Sequence, residues 1–233
     1  MPFKMILQFE KTESVKYISQ LDMLRAFHRA LRRADIPIAY SEGYNPQPKI
    51  SFAFALSVGL VSHGEYLEAT LKELTAPEEF IRRMNAVLPK GLQFIDGCLL
   101  PPESNFSTGK SVNCASFSAQ ITNLSENADT FAEHLRQAAF QEQVWIEKHT
   151  KKGVSVIDAK EGIYEFSANS TGENTILADF TLALSEKFTI RADDFLKAVT
   201  KGTNSTYTYV KNNTLIKRDG EYISPVEYVR RFE

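Results

Sequence analysis

The chain has little of what would make it stable or reactive by covalent or metal chemistry. It holds two cysteines, Cys98 and Cys114, among 233 residues. They form no CxxC pair, so a disulfide scaffold and a cysteine-built cluster are both unsupported, and both thiols read as small buried hydrophobes. The four histidines, His28, His63, His134 and His149, show no HxxH or HExxH spacing, which leaves no single-segment zinc site. No charge sign dominates: 27 Lys and Arg against 29 Asp and Glu give −2, which excludes a histone-like or tail-like basic protein. The longest apolar run, Phe52 to Val61 (FAFALSVGLV), is half the roughly 20 residues that cross a bilayer. MPFKMILQFEKTESVKY carries charges inside its apolar stretch and is no signal peptide. GxxxxGK[ST], GxGxxG and GxSxG are all missing. No catalytic residue, metal site or cofactor is expected, and the thiol usage suits a cytoplasmic protein with no membrane partner.

What is present is an ordinary globular composition, 43% hydrophobic and 24% charged. Met5 to Glu10 reads as a strand. Ser19 and Asp22 stand at capping-box spacing before LDMLRAFHRALRRA, where Leu21, Leu24, Phe27 and Leu31 recur at helical spacing until Pro37. Ser41 to Lys49 (SEGYNPQPK) is a shaped loop. Ile50 to Leu56 and Tyr66 to Leu71 read as strands, Pro77 opens a helix, and Leu92 to Leu100 is a further strand. After the polar, Pro/Ser/Gly-rich stretch Pro101 to Asn113 the pattern restarts. Ala115 to Thr122 is a strand and Asn127 to Phe140 a helix. Val144 to His149, Val154 to Ile157, Ile163 to Ala168 and Thr175 to Leu184 are strands. Arg191 to Val199 is a helix and Tyr207 to Ile216 a last strand. The expected fold class is α+β, two tandem ferredoxin-like (split βαβ) lobes with antiparallel sheets, spanning 1–104 and 112–233.

The first helix is the most informative segment. At about 100° per residue, Arg25, Arg29, Arg32 and Arg33 share one arc, away from the apolar positions. Residues 1–50 hold eight Lys and Arg against five acids, hence +3. The other 183 hold 19 against 24, hence −5. Arginine suits bidentate phosphate or carboxylate recognition. The plain alternative is a solvated helix face with cations at its C-terminal end. The following loop offers Ser41, Tyr44, Asn45 and Lys49 beside two rigid prolines. Aromatic, amide and cation in one place suit single-stranded nucleic acid by stacking, base-edge hydrogen bonding and phosphate contact. Lys148 to Gly153 is a second cationic turn, with Lys151 and Lys152 as its candidate contacts. Lys217-Arg218 and Arg230-Arg231 read as solvated.

Residues 17–71 resemble the opening of the bacterial radical SAM-linked protein family, an uncharacterised domain fused to or encoded beside a cobalamin-binding radical SAM protein. Leu21-Asp22, Arg25, Arg29 to Arg33, Ser41, Gly43, Asn45-Pro46, Pro48 and Ile50 to Ala53 carry the match. Lys152-Gly153 with Asp158 extends it more weakly into the second half. The chain departs from the family pattern at Gln20, His28, Tyr44 and Gln47. The resemblance implies a radical SAM partner, with this chain as its accessory or substrate-presenting module. The arginine helix and the loop add RNA or a ribonucleoprotein as a further expected partner, with the chain as an RNA-binding module. The two-lobed pattern is also similar, at fold level only, to RAMP-type CRISPR RNA-processing proteins. Those typically carry a glycine-rich loop near the C-terminus, where this chain has only Gly202 and Gly220 in its last forty residues. That counts against membership. Two other readings stay open, a RAMP-like endoribonuclease using His28 or Tyr44, and a protein adapter whose arginines meet an acidic partner.

Overall fold

The computed structural model describes residues 2–150 and 153–233. The fold is mixed α+β, with mostly antiparallel strand pairing and six helices among the described residues. It divides into two units, one holding the residues up to Val112 together with Asn213–Glu233, the other Asn113–Asn212.

The first unit is built on β1 (Phe3–Lys11), β3 (Val61–Leu71) and β4 (Leu92–Leu99) in the order β4-β1-β3, with β1 antiparallel to both neighbours. The short β2 (Ile50–Phe52) pairs antiparallel with Leu67 to Ala69 of β3. Helices α1 (Gln20–Arg33) and α2 (Pro77–Asn85) supply one core with Met5, Leu7 and Phe9 of β1. Phe9 sits among the rings of Phe27, Phe52 and Phe94 at 5.2, 5.8 and 6.0 Å. Ile6, on the alternate face of β1, joins a second core of Tyr66, Cys98, Phe106, Val112 and Ile216. Val226 and Val229 of α6 (Pro225–Phe232) close it. Because both faces are covered, MIL in β1 is buried without a break. Arg230 fixes α6 to β4 through a two-pronged bond to Asp96, at 2.7 and 3.0 Å, and one to the Gly97 carbonyl.

The second unit comprises β5 (Cys114–Thr122), α4 (Ala128–Ala139), the hairpin β6 (Trp145–Thr150) and β7 (Gly153–Asp158), β8 (Ile163–Gly172), β9 (Thr175–Ala183), α5 (Ala192–Val199) and the start of β10 (Thr206–Arg218). Its strands run β10-β5-β9-β8, with β9 antiparallel to β5 and β8. As its alternation requires, Ile176, Ala178, Phe180 and Leu182 are buried, together with Phe131 and Leu135 of α4 and Phe195 of α5. The opposite face carries Ser116, Ser118, Glu165, Ser167 and Asp179 and is polar. β10 crosses the unit division, and β11 (Glu221–Ile223) pairs with its end.

Three local expectations change. The strand read over Ile50 to Leu56 stops at Phe52, and 53–60 is an irregular connection. The apolar face of α1 is Met23, Phe27, Ala30 and Leu31, while Leu21, in the first turn, is 54% exposed. The stretch Pro101 to Asn113 is not only a polar connection: Phe106 and Val112 are buried, and Thr108–Ser111 forms a single helical turn, α3.

Candidate functional site

The arginine helix is held at both ends by local chemistry. Ser19 Oγ accepts from the Asp22 N–H at 3.1 Å, an N-cap at the expected spacing, and its hydroxyl donates to Asp22 Oδ2 at 2.7 Å. That bond, before the nearby arginines, holds the Asp22 carboxyl below its ordinary value. The buried Lys11 ammonium donates to the Ile18 carbonyl at 3.3 Å and so anchors the approach to the cap. At the other end Asp35 takes a left-handed conformation, φ 49°. Its N–H bonds the Arg32 carbonyl, and the Ile36 N–H bonds that of Leu31, a Schellman closure with Leu31 and Ile36 both in the core.

The four arginines divide. Arg25, Arg29 and Arg32 are exposed along the solvent face. Arg25 Nη1 meets Asp22 Oδ1 at 3.3 Å, and Arg32 Nε donates to the His28 carbonyl of its own helix at 3.3 Å. Arg33 instead reaches across to the Val87 carbonyl just past the end of α2, at 2.6 Å. Arg83 of α2 does the reverse. It donates to the Ala34 carbonyl at 2.9 Å and to the Asp35 carbonyl at the end of α1. Each helix thus ends on a guanidinium from the other, where the helix dipole leaves carbonyls negative. Sequence reading missed Arg83; its one signal is a last-turn arginine inside a short helix, which no local rule separates from a solvated one. Burial, then Arg32, holds the His28 imidazole below its usual value, so it stays neutral near pH 7.

The SEGYNPQPK segment is an excursion from an edge strand. Ile38 bridges Leu71, the Ala39 N–H bonds the Thr70 carbonyl, and the Thr70 N–H bonds the Lys49 carbonyl before Ile50 pairs with Ala69. Residues 40–48 therefore leave β3 and return to it within one register step. Their ends close on themselves. Lys49 N–H to Ala39 carbonyl is 2.7 Å, Ser41 N–H to Gln47 carbonyl is 2.8 Å, and Gln47 N–H to Ser41 Oγ is 3.0 Å. Tyr40 and Pro48 bridge between them. Such a closed surface excursion is an Ω-type loop. Ser41 is thus a closing residue. At the tip Gly43 has φ 119°, a conformation open to glycine, and Tyr44 beside it is fully exposed, with Asn45. Lys49 is exposed and alternates with Ile50, which packs against the α1-side core, so strand alternation turns Lys49 to the other face. Among the described residues no hydrogen bond or ion pair joins Arg25, Arg29 or Arg32 to the loop tip.

Lys151 and Lys152 lie outside the described residues. The C-terminal cations are engaged: Arg230 as above, Arg231 with Glu227 at 2.7 Å, and Arg218 with the Tyr228 hydroxyl at 2.8 Å. The described residues hold no group of three His, Cys, Asp or Glu side chains placed to take a metal ion, and no helix long and apolar enough to cross a membrane.

A mixed α+β protein with a capped arginine helix and a preformed loop on an edge strand is thus the class defined here. The chain belongs to the family described as an uncharacterised protein conserved in bacteria (DUF2344), whose model matches residues 4–192. No curated protein matches the sequence. Among solved structures, an unknown protein from Galdieria sulphuraria shares 8% identity over 91% of this chain and 99% of that one, with a TM-score of 0.27. A putative glycine cleavage system transcriptional repressor shares 9% over the same fractions, with a TM-score of 0.22. Both scores fall below the level at which a shared fold would follow.

Proposed function

We propose that this protein is a non-catalytic binding module that holds single-stranded RNA on the 40–49 loop and the α1 face, and presents it to a radical SAM modifying enzyme. The partner class is taken from the family resemblance. In this reading the strand orders β4-β1-β3 with β2 outside β3, and β10-β5-β9-β8, are two ferredoxin-like units, the second with a hairpin inserted after its first helix.

The observation that carries the proposal is Tyr44, a bare ring at the tip of a loop whose base is closed by paired bonds. A large aromatic in full contact with water has no packing role in the monomer. A loop already ordered spares most of the entropy of binding. The exposed Arg25, Arg29 and Arg32 supply phosphate contacts, while Arg33 serves the fold. The open face of the second unit's sheet is a poor rival platform, because it offers the carboxylates of Glu165 and Asp179 to a polyanion.

Anisotropy with a labelled single-stranded RNA, repeated across salt concentrations, tests this. Affinity should fall with log salt, and replacing Arg25, Arg29 and Arg32 with alanine should flatten the slope by about 0.7 for each phosphate no longer neutralised. Tyr44→Ala should weaken binding by roughly 1–3 kcal/mol and leave the slope alone, because stacking releases no counterions. No binding by the wild-type chain, or cleavage of the RNA over hours, would overturn the reading.

A further inference from the structure

Residues 101–111 wrap an open cavity of about 470 Å³ against the end of α6, within the size range of small-molecule sites. All of its lining residues belong to the first unit. Its apolar side is Tyr228 stacked on the buried Phe106, with ring centroids 5.5 Å apart. Ser104 Oγ accepts from the Phe106 N–H at 3.1 Å and donates to Glu233 Oε2, which ties the loop to the helix end.

The polar side is the turn α3. Ser107, Lys110 and Ser111, spaced i, i+3, i+4, all line the cavity. The rest of the turn belongs to the fold. Thr108 is buried, its N–H bonds Glu68 Oε1, and a Cβ at Gly109 would meet the Ala53 carbonyl at 3.2 Å. The N–H of the first helical residue is therefore already taken, and a ligand would meet side chains. Among the described residues no hydrogen bond or ion pair engages the Ser107 and Ser111 hydroxyls or the Lys110 ammonium. Two hydroxyls and a cation without protein partners suit a phosphate. The cavity also carries the exposed Glu103. A bare anion would gain from Lys110, be opposed by Glu103 and Glu233, and leave the rings unused. A ligand with one phosphate, a sugar diol and a flat ring uses all of these groups, because a carboxylate accepts from ribose hydroxyls and a base packs on aromatic side chains.

We infer that this cavity binds a nucleoside monophosphate, its phosphate on Ser107, Lys110 and Ser111, its ribose on Glu103 and its base on the Phe106–Tyr228 side. A free nucleotide and the phosphorylated 5′ end of a strand share this chemistry. The site has no residue in common with the 40–49 loop or the α1 face, so it stands apart from the RNA reading.

Equilibrium dialysis of the full chain against AMP, GMP, CMP, UMP and inorganic phosphate tests the inference. At least one nucleotide should bind with a dissociation constant below about 1 mM, and inorganic phosphate at least about tenfold more weakly. Lys110→Ala should weaken the nucleotide at least about tenfold, as expected for a lost charged donor. Glu103→Gln should weaken the nucleotide without weakening phosphate. Circular dichroism should show both variants folded, since neither side chain is buried. A 5′-phosphorylated dinucleotide that binds as well as the mononucleotide assigns the site to strand ends, and one that binds about tenfold worse assigns it to the free nucleotide. No binding of any of the four nucleotides at millimolar concentration overturns the inference. So does binding indifferent to Lys110→Ala, or phosphate binding as tight as the nucleotide. Loss of nucleotide binding in Tyr44→Ala also overturns it, because the nucleotide would then sit on the loop. A chain that fails to bind single-stranded RNA but binds a nucleotide through Lys110 would refute the nucleic-acid reading and support this one.

Discussion

Arg29 and Arg33, four residues apart on one helix, should respond to alanine in opposite ways. Arg33 Nη2 donates to the Val87 carbonyl, while Arg29 makes no hydrogen bond or ion pair among the described residues. A charged donor on a neutral carbonyl contributes roughly 1.5–3 kcal/mol when buried. Here both groups are near the surface and water replaces the guanidinium, so the loss for Arg33→Ala should be about 1 kcal/mol. In the regime where amide exchange reports the opening equilibrium, that accelerates exchange of the protected α1 amides about fivefold. Arg83→Ala, which frees two carbonyls at the end of α1 from a less exposed side chain, should accelerate the same amides more. Arg29→Ala should leave exchange unchanged and lower the salt slope of RNA binding by about 0.7. Hydrogen exchange read by mass spectrometry on α1 peptides, with parallel RNA titrations, supplies both readouts. If Arg33→Ala lowers the salt slope as much as Arg29→Ala and leaves exchange untouched, Arg33 belongs to the binding face and the reciprocal capping of the two helices does not stabilise them.

Other outcomes follow from single sites. Gly64→Ala would bring its Cβ within 2.5 Å of the Asn213 Cα, so this chain should lose roughly 1–3 kcal/mol by urea denaturation; an unchanged midpoint would mean that β3 and Asn213 pack more loosely than this. Burial pushes the Cys98 thiol up to about 11, and Cys114 is fully buried, so neither should react with a thiol reagent at pH 8 until urea is added. Prompt labelling of the native chain would contradict that. Ser19→Ala should raise the Asp22 carboxyl, followed by NMR titration. Because the folded value lies below the unfolded 3.8, the stabilisation is present above that pH and is lost as pH falls through the folded value. An unmoved Asp22 titration in the Ser19 variant would show that the cap bond is not its cause.

Local chemistry was the most legible part of the sequence. The Ser19–Asp22 spacing placed the start of α1, and alternation in β9 grouped Ile176, Ala178, Phe180 and Leu182, all buried, because each depends on residues a few positions apart; Thr181 and Ala183 of the alternate set are buried as well. Leu21 fits the helical apolar period, but its place in the first turn, outside the packed face, is set by where β1 and the 53–60 connection lie. The strand expected to Leu56 ends at Phe52 because pairing with β3 ends there, which no propensity encodes. The C-terminal helix had a signal that went unread: Ser224, Pro225 and Glu227 form a cap with proline at the first turn. That residues 213–233 belong with the first unit has no local signature. It follows from Ile216, Val226 and Val229 filling the face of β1 opposite α1. Likewise the arginine arc was legible as an arc, but the division of Arg33 from the rest depends on a carbonyl 54 residues away.

The way the 40–48 loop is inserted explains how a binding surface and a fold coexist in this unit. The strand hydrogen bonds run from Ile38 and Ala39 directly to Lys49 and Ile50, so the sheet edge is complete without the nine residues between them. The loop's own closure uses Ser41 and Gln47, neither of which reaches the core. It leans on the rest of the unit at its base, where Tyr40 packs against the α1-side core and under the Lys72 ammonium at 5.5 Å. Changes at Tyr44 and Asn45 therefore act on what the loop touches and not on stability, whereas changes at Tyr40 act on both and a side chain at Gly43 strains the tip itself. By urea denaturation, Tyr44→Ala should leave the unfolding free energy of the chain unmoved, and Tyr40→Ala should lower it by roughly 1–2 kcal/mol for a half-buried ring. A Tyr44 variant that unfolds earlier would place the ring in the fold's own packing and remove the observation on which the RNA reading rests.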